Sequence, residues 1–284
     1  MIAIFGGLGA AFLWAGANLT SSRAGRLIGA SSTVAWMMLV GVFIAGPLAL
    51  LSGPVPPITT ELAFWVAGSS LGGVIGLLLV YRGLRFGKVG VVTALASTEG
   101  AIAAMIAVIA GEHLTLPVVV MLCVIVAGIA IVAFATGDTT EVVAPGAERR
   151  AVLYGATAAL AFGVTVYSTA KLGQSMPPLM AVLPVRILGV VGVFIPLALT
   201  GRLRLTRPAV PMVVFIGAAE VFGNASYVLG SRQSIAIAAV LASQFAAIGA
   251  IAAFFLFRER LSVGQRSGVV AIALGVAMLT AVRA

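Results

Sequence analysis

Long apolar runs separated by short breaks make up the whole chain. Ile2 to Ser22 carries no charge, and runs of similar length recur near 31–51, 61–81, 89–110, 115–136, 151–171, 178–200, 209–230, 234–257 and 263–282. About twenty residues at ~1.5 Å rise cross a hydrocarbon core of roughly 30 Å as a helix. The runs are continuous rather than alternating, which argues against a strand barrel. The pattern therefore predicts an all-α membrane protein of ten transmembrane helices. Breakers or charges fill the gaps: Ser52-Gly53-Pro54, Arg82 to Lys88, Gly111 to Thr115, and Met176-Pro177-Pro178.

Composition sharpens this. Of 284 residues, 61% are hydrophobic and 9% charged, against about 25% charged in soluble domains. Mean hydropathy is +1.19. The net charge of +9 would raise nucleic acid as a partner for a soluble chain. Here the basic residues sit in short loops, where they set topology and meet lipid headgroups, so no nucleic-acid partner is expected. No positive charge precedes the first run and no small-x-small cleavage site ends it, so it is expected to be a retained helix. The single Cys123 forms no intrachain disulfide.

The two halves repeat. Leu95-Ala96-Ser97 recurs as Leu241-Ala242-Ser243, and Gly111 to Thr115 (GEHLT) resembles Arg258 to Ser262 (RERLS). The offset is 146 for Tyr81 and Tyr227, and 147 for Gly128 and Gly275. The polar stretch Gly137 to Arg150 reads as a linker, dividing the chain into 1–136 and 151–284. An odd number of helices per half sends the second copy into the membrane upside down. The expected architecture is an inverted five-plus-five repeat around a central cavity, with a site at the repeat interface.

Loop charge agrees with inversion. Thirteen of the 17 Lys and Arg follow odd-numbered helices, among them Arg23, Arg82, Arg202 and Arg258; Lys171, Arg232 and Arg283 lie on the other side, and Arg186 is intrahelical. In the first half the charge follows helices 1 and 3, and in the second it follows helices 7 and 9. The positive-inside rule places that side in the cytoplasm and both termini outside it.

Taken together, the repeat, the Glu-x-Leu-[Ser/Thr] close of helices 4 and 9 (Glu112 to Thr115, Glu259 to Ser262) and the following Gly128 and Gly275 resemble the drug/metabolite transporter superfamily in its ten-helix, double-EamA form. Arg186 fits the arginine common in the second helix of a repeat; the first copy has Trp36-Met37-Met38 there. The general length and sparse loops look most like the YddG-type amino-acid exporters. The resemblance implies a cavity lined by helices 1, 3, 4, 6, 8 and 9, with helices 5 and 10 peripheral. Glu99 stands where proline is usual, thirteen residues before Glu112, and the same count in helix 9 reaches Ala246.

Ionisable residues at bilayer depth cost about 2.5–3.5 kcal/mol on insertion scales and mark cavities or pathways by default. Glu99 lies near the midplane of helix 4, after Ser97 and Thr98. Glu220 begins a stripe on helix 8 that continues through Asn224 and Tyr227. Arg186 has no carboxylate within one turn of its own helix, so either Glu99 or Glu220 is its expected partner. Trp14 and Asn18 on helix 1, Tyr81 on helix 3, Thr165 and Ser168 on helix 6, and Ser243 and Gln244 on helix 9 complete the substrate-cavity candidates. An interfacial aromatic belt is the competing role for Trp14, Tyr81 and Tyr227. Gly68, Gly72 and Gly76 form a small-residue stripe suited to packing, and Pro47, Pro184 and Pro196 are bending points.

No nucleotide loop, catalytic constellation or metal-ligand set is present, and His113 stands alone. No cofactor, no metal and no enzymatic activity are expected. The expected function is export of small amphipathic metabolites, hydrophobic or aromatic amino acids among them, by alternating access. Other drugs or metabolites, and less well a membrane-embedded enzyme on lipid, are the alternatives. The expected setting is a monomer in a bacterial inner membrane, with a small-molecule substrate and the bilayer as its partners. The charge count predicts that alkaline phosphatase fused after Ala284 is active and green fluorescent protein fused there is dark. The reverse pair of signals would invert the topology.

Overall fold

The computed structural model of the protein describes residues 1–83, 92, 95–134, 147–245, 247–249, 251–252 and 263–283. Its elements are helical: α1 (Ile2–Ile28), α2 (Ala30–Leu51), α3 (Thr60–Gly83), α4 (Glu99–Ile109), α5 (Leu116–Phe134), α6 (Ala147–Ser175), α7 (Pro178–Leu199), α8 (Val210–Ser231), α9 (Ile235–Ala242) and α10 (Val263–Arg283). Spans 2–28, 30–51, 60–80, 149–175, 178–199 and 207–231 are each long and apolar enough to cross a bilayer. A helix satisfies its own backbone, which is the condition for a lipid-facing segment. Phe5, Phe12, Phe43, Leu71, Ile109 and Val191 point outward, as suits a solvent of hydrocarbon.

Helix ends differ locally from the hydropathy reading. α1 runs to Ile28 instead of Ser22, and Arg26 in its last turn favours the negative end of the helix dipole. Gly29 alone, at φ 84°, turns the chain into α2. α6 starts at Ala147, inside the stretch read as linker; residues 137–146 lie outside the described ones. α7 carries one π turn, Val190–Phe194, just ahead of Pro196, whose missing N–H interrupts the α ladder.

The larger surprise is in the two helices expected to run unbroken over 89–110 and 234–257. The chain turns at Ser97-Thr98 before α4 begins, and at Ser243-Gln244 after α9 ends. Short side chains drive both breaks by bonding backward: Thr98 Oγ1 donates to the Leu95 carbonyl at 2.7 Å, and Ser243 Oγ to that of Val240 at 2.9 Å. Helical chain resumes at Glu99 and at Phe245. Phe245 thus follows its break as Glu99 follows the other. Ala246, the position reached by counting back from Glu259, lies outside the described residues, as does Glu259.

Contacts between the halves are reciprocal. α1 packs on α8 as α6 packs on α3; α1 on α9 as α6 on α4; and α2 on α7, α4 on α9, and α5 on α10 pair each helix with its own counterpart. The relation holds residue by residue. Gly128 of α5 lies against Gly268 and Ile272 of α10, while Gly275 lies against Met121 and Ile125. Gly76 receives the Phe162 ring and Gly223 the Trp14 ring. Gly68 and Gly72 extend the same stripe along α6. Small residues let backbones approach where lipid offers no hydrophobic drive for association.

At the centre, the two breaks touch. A Cβ on Gly100 would collide with the Ala239 carbonyl and stand 2.6 Å from Ser243 Oγ. Backbone cannot retreat as a flexible side chain does. Gly100→Ala is expected to cost about 1–3 kcal/mol by overpacking, read as a lower unfolding midpoint in detergent. Gly46→Ala, which meets open space, is the control expected to leave the midpoint unchanged.

Candidate functional site

α9 is buried at each of its eight positions, so its first N–H groups have no water to bond. One cap is its own Ser234, and the other comes from elsewhere. Gly111 at φ 101° ends α4 with paired bonds from its own N–H to Val108 and from the Glu112 N–H to Ala107, the Schellman arrangement. That turn delivers Glu112 to the start of α9. Its carboxylate accepts from Ser234 Oγ at 2.5 Å and from the N–H groups of Ile235 and Ala236 at 3.1 and 3.2 Å. Ser234 Oγ in turn accepts from the Ile237 N–H. The adjoining residues extend the tie: Gln233 accepts from the Ala3 N–H of α1, and Arg232 donates to the Gly173 and Met176 carbonyls at the end of α6.

Deeper in the bundle, Arg186 of α7 is 3% exposed and pairs with Glu220 of α8, Nη2 to Oε2, at 3.0 Å. Of the two carboxylates open to it from the sequence, the structure selects Glu220. Asn224, one turn on, donates to the Glu220 carbonyl and carboxylate at 2.7 and 3.4 Å. Met38 Sδ accepts from Arg186 Nη1 at 3.6 Å. Gly41 makes the room: a Cβ there would meet Arg186 Cδ at 2.9 Å.

Glu99 sits at the first position of α4, deep among the helices yet keeping some accessible surface. Tyr227 is fully buried, donates to the Val166 carbonyl at 3.1 Å, and lies 6.3 Å from the Trp14 ring. Phe245 meets Trp14 edge-on at 6.1 Å. Trp14 Nε1 and Gln244 Nε2 are buried without a hydrogen-bond partner.

Trp14, Ser97, Thr98, Glu99, Arg186, Glu220, Asn224, Tyr227, Ser243 and Gln244 thus share the middle of the bundle. Thr165 and Ser168 instead lie against Gly72 and Gly68 of α3. Asn18 is exposed on α1, and the Tyr81 side chain lies outside the described residues. Phe245, Gly41 and Met38 escaped sequence reasoning because apolar residues in apolar helices carry no signal. Glu112 was visible only as a motif; its partners are more than a hundred residues away.

Residues 1–134 and 149–281 each match the EamA-like transporter family. No curated protein matches the chain. One solved structure, titled only "Crystal structure of protein", aligns over 99% of this chain and 96% of its own at TM-score 0.76 and 17% identity. At that identity the likeness shows the fold alone.

Removing one member of a buried pair strands the other charge, at about 3–5 kcal/mol. Arg186→Met and Glu220→Leu are each expected to destabilise by that order. The double variant should be more stable than the sum of the singles allows. A double-mutant cycle on unfolding in micelles checks it, and additive losses would deny the pair.

Proposed function

Because the chain belongs to the EamA-like transporter family of the drug/metabolite transporter superfamily, we propose that it is a secondary transporter exporting small amphipathic solutes, hydrophobic or aromatic amino acids first among them. The chain is a membrane protein whose helices carry charged and hydrogen-bonding groups inward. The observation that carries the reading is the meeting of the two helix breaks, Ser97-Thr98 and Ser243-Gln244, beside Glu99 and the Arg186–Glu220 pair. Interrupted helices at membrane depth are tolerated where they line a cavity, and the repeat interface is where secondary transporters bind.

Alternating access follows if the reciprocal halves are inverted in the bilayer. One set of contacts then closes the cavity on one side and its counterpart closes it on the other. The cap of Glu112 on α9 ties four helices at one end; the odd-loop charge puts that end outside the cytoplasm. On this reading the chain works as a monomer in a bacterial inner membrane, with both termini on the outer side. The π turn of α7 and the prolines at 184 and 196 supply points of bending.

Counterflow in proteoliposomes tests it. Vesicles loaded with unlabelled L-phenylalanine or L-leucine are expected to accumulate the labelled amino acid transiently, and protein-free vesicles are not. A flat trace for amino acids with counterflow of other metabolites would correct the substrate. No counterflow of any solute in a folded preparation would end the transporter reading.

A further inference from the structure

Resting on that reading, we propose that Glu99 recognises a protonated amine, so that the central site selects solutes joining a cationic nitrogen to an apolar body. Three formal charges lie at the middle of the described bundle: Arg186, Glu220 and Glu99. Arg186 and Glu220 cancel at 3.0 Å, and Asn224 donates to the same Oε2 at 3.4 Å and to the Glu220 carbonyl at 2.7 Å. Among the described residues, the Glu99 side chain has no hydrogen bond or ion pair. The start of α4 places the positive end of a helix dipole behind it, worth about half an elementary charge. That eases a carboxylate without neutralising it. The ionised site is therefore one positive charge short of balance.

Uncompensated charge inside a membrane protein is costly, and a ligand that brings the counter-charge recovers that cost. An ammonium group does so while donating hydrogen bonds that a carboxylate accepts. An anionic solute instead adds repulsion from Glu99. The surroundings specify the rest of the solute. Trp14, Tyr227 and Phe245 gather within ring-contact distance, offering an apolar wall and faces attractive to a cation. Gln244 Nε2 is more than nine-tenths buried and unpartnered, as is Trp14 Nε1 where it lies against Gly223. An amine with an oxygen acceptor nearby, as in an α-amino acid, satisfies both Glu99 and Gln244.

The counterpart position makes the preference one-sided. Where Glu99 follows its break, Phe245 follows the other. The site thus has a charged half and an aromatic half, and a solute lies across them in one orientation.

Calorimetric titration of the full chain in nanodiscs tests the assignment with four phenyl probes: phenethylamine, L-phenylalanine, 3-phenylpropionate and 3-phenylpropanol. Both amines are expected to bind at least about ten-fold tighter than 3-phenylpropionate, or ~1.4 kcal/mol. Glu99→Gln should abolish that margin while leaving 3-phenylpropanol within about two-fold, and Glu99→Asp should retain it. An unchanged ranking in Glu99→Gln, tightest binding by the anion, or no binding by either amine overturns the proposal. Because the readout is binding, it is separable from transport. Amine binding without counterflow would sink the transporter reading alone, and counterflow with an unchanged ranking in Glu99→Gln would sink the Glu99 assignment alone.

Discussion

One carboxylate in a turn holds the two halves in register. α9 has apolar side chains at all eight positions and is buried on every side, so its unpaired N–H groups must find a partner inside the protein. Glu112, from the end of α4, is that partner. Charge-assisted bonds of this kind are worth about 1.5–3 kcal/mol each, and they cannot form unless α4 ends at the right height beside α9. The Gly111 turn fixes that height. Further in along the same two helices, Gly100 is seated on Ala239 and Ser243.

The Arg186–Glu220 pair works under a different constraint. Both groups are costly to bring inside, and their attraction offsets the cost only with good geometry and further hydrogen bonds. The structure supplies these through Asn224, Met38 and the space left by Gly41. Three helices, α2, α7 and α8, are thereby committed to one arrangement. This is a structural use of charge. Glu99 differs in having no such attendants among the described residues.

Pseudo-symmetry explains why the site is asymmetric without the fold being so. Reciprocal contacts at Gly128 and Gly275, and at Gly76 and Gly223, show that packing surfaces were kept in both copies. Such surfaces tolerate little change, because a single Cβ would meet backbone or ring. The first residues after the two breaks do not match in this way. There the copies diverged into Glu99 on one side and Phe245 on the other.

Much was legible without coordinates. Run length and hydropathy determined a membrane protein of ten helices, because the bilayer sets one thickness for every span. Offsets of 146 and 147 determined the repeat, and depth alone marked Glu99, Arg186 and Glu220, because a charge in hydrocarbon needs a reason. Tertiary structure decided what local pattern cannot carry. It chose Glu220 over Glu99 for Arg186, since pairing depends on which helices face one another across 34 residues of chain. It broke two helices that hydropathy reads as continuous, since apolar periodicity does not register a serine or threonine bonding its own backbone. It also turned Glu112 from a motif letter into a cap, since the donors it satisfies lie in the other half of the chain.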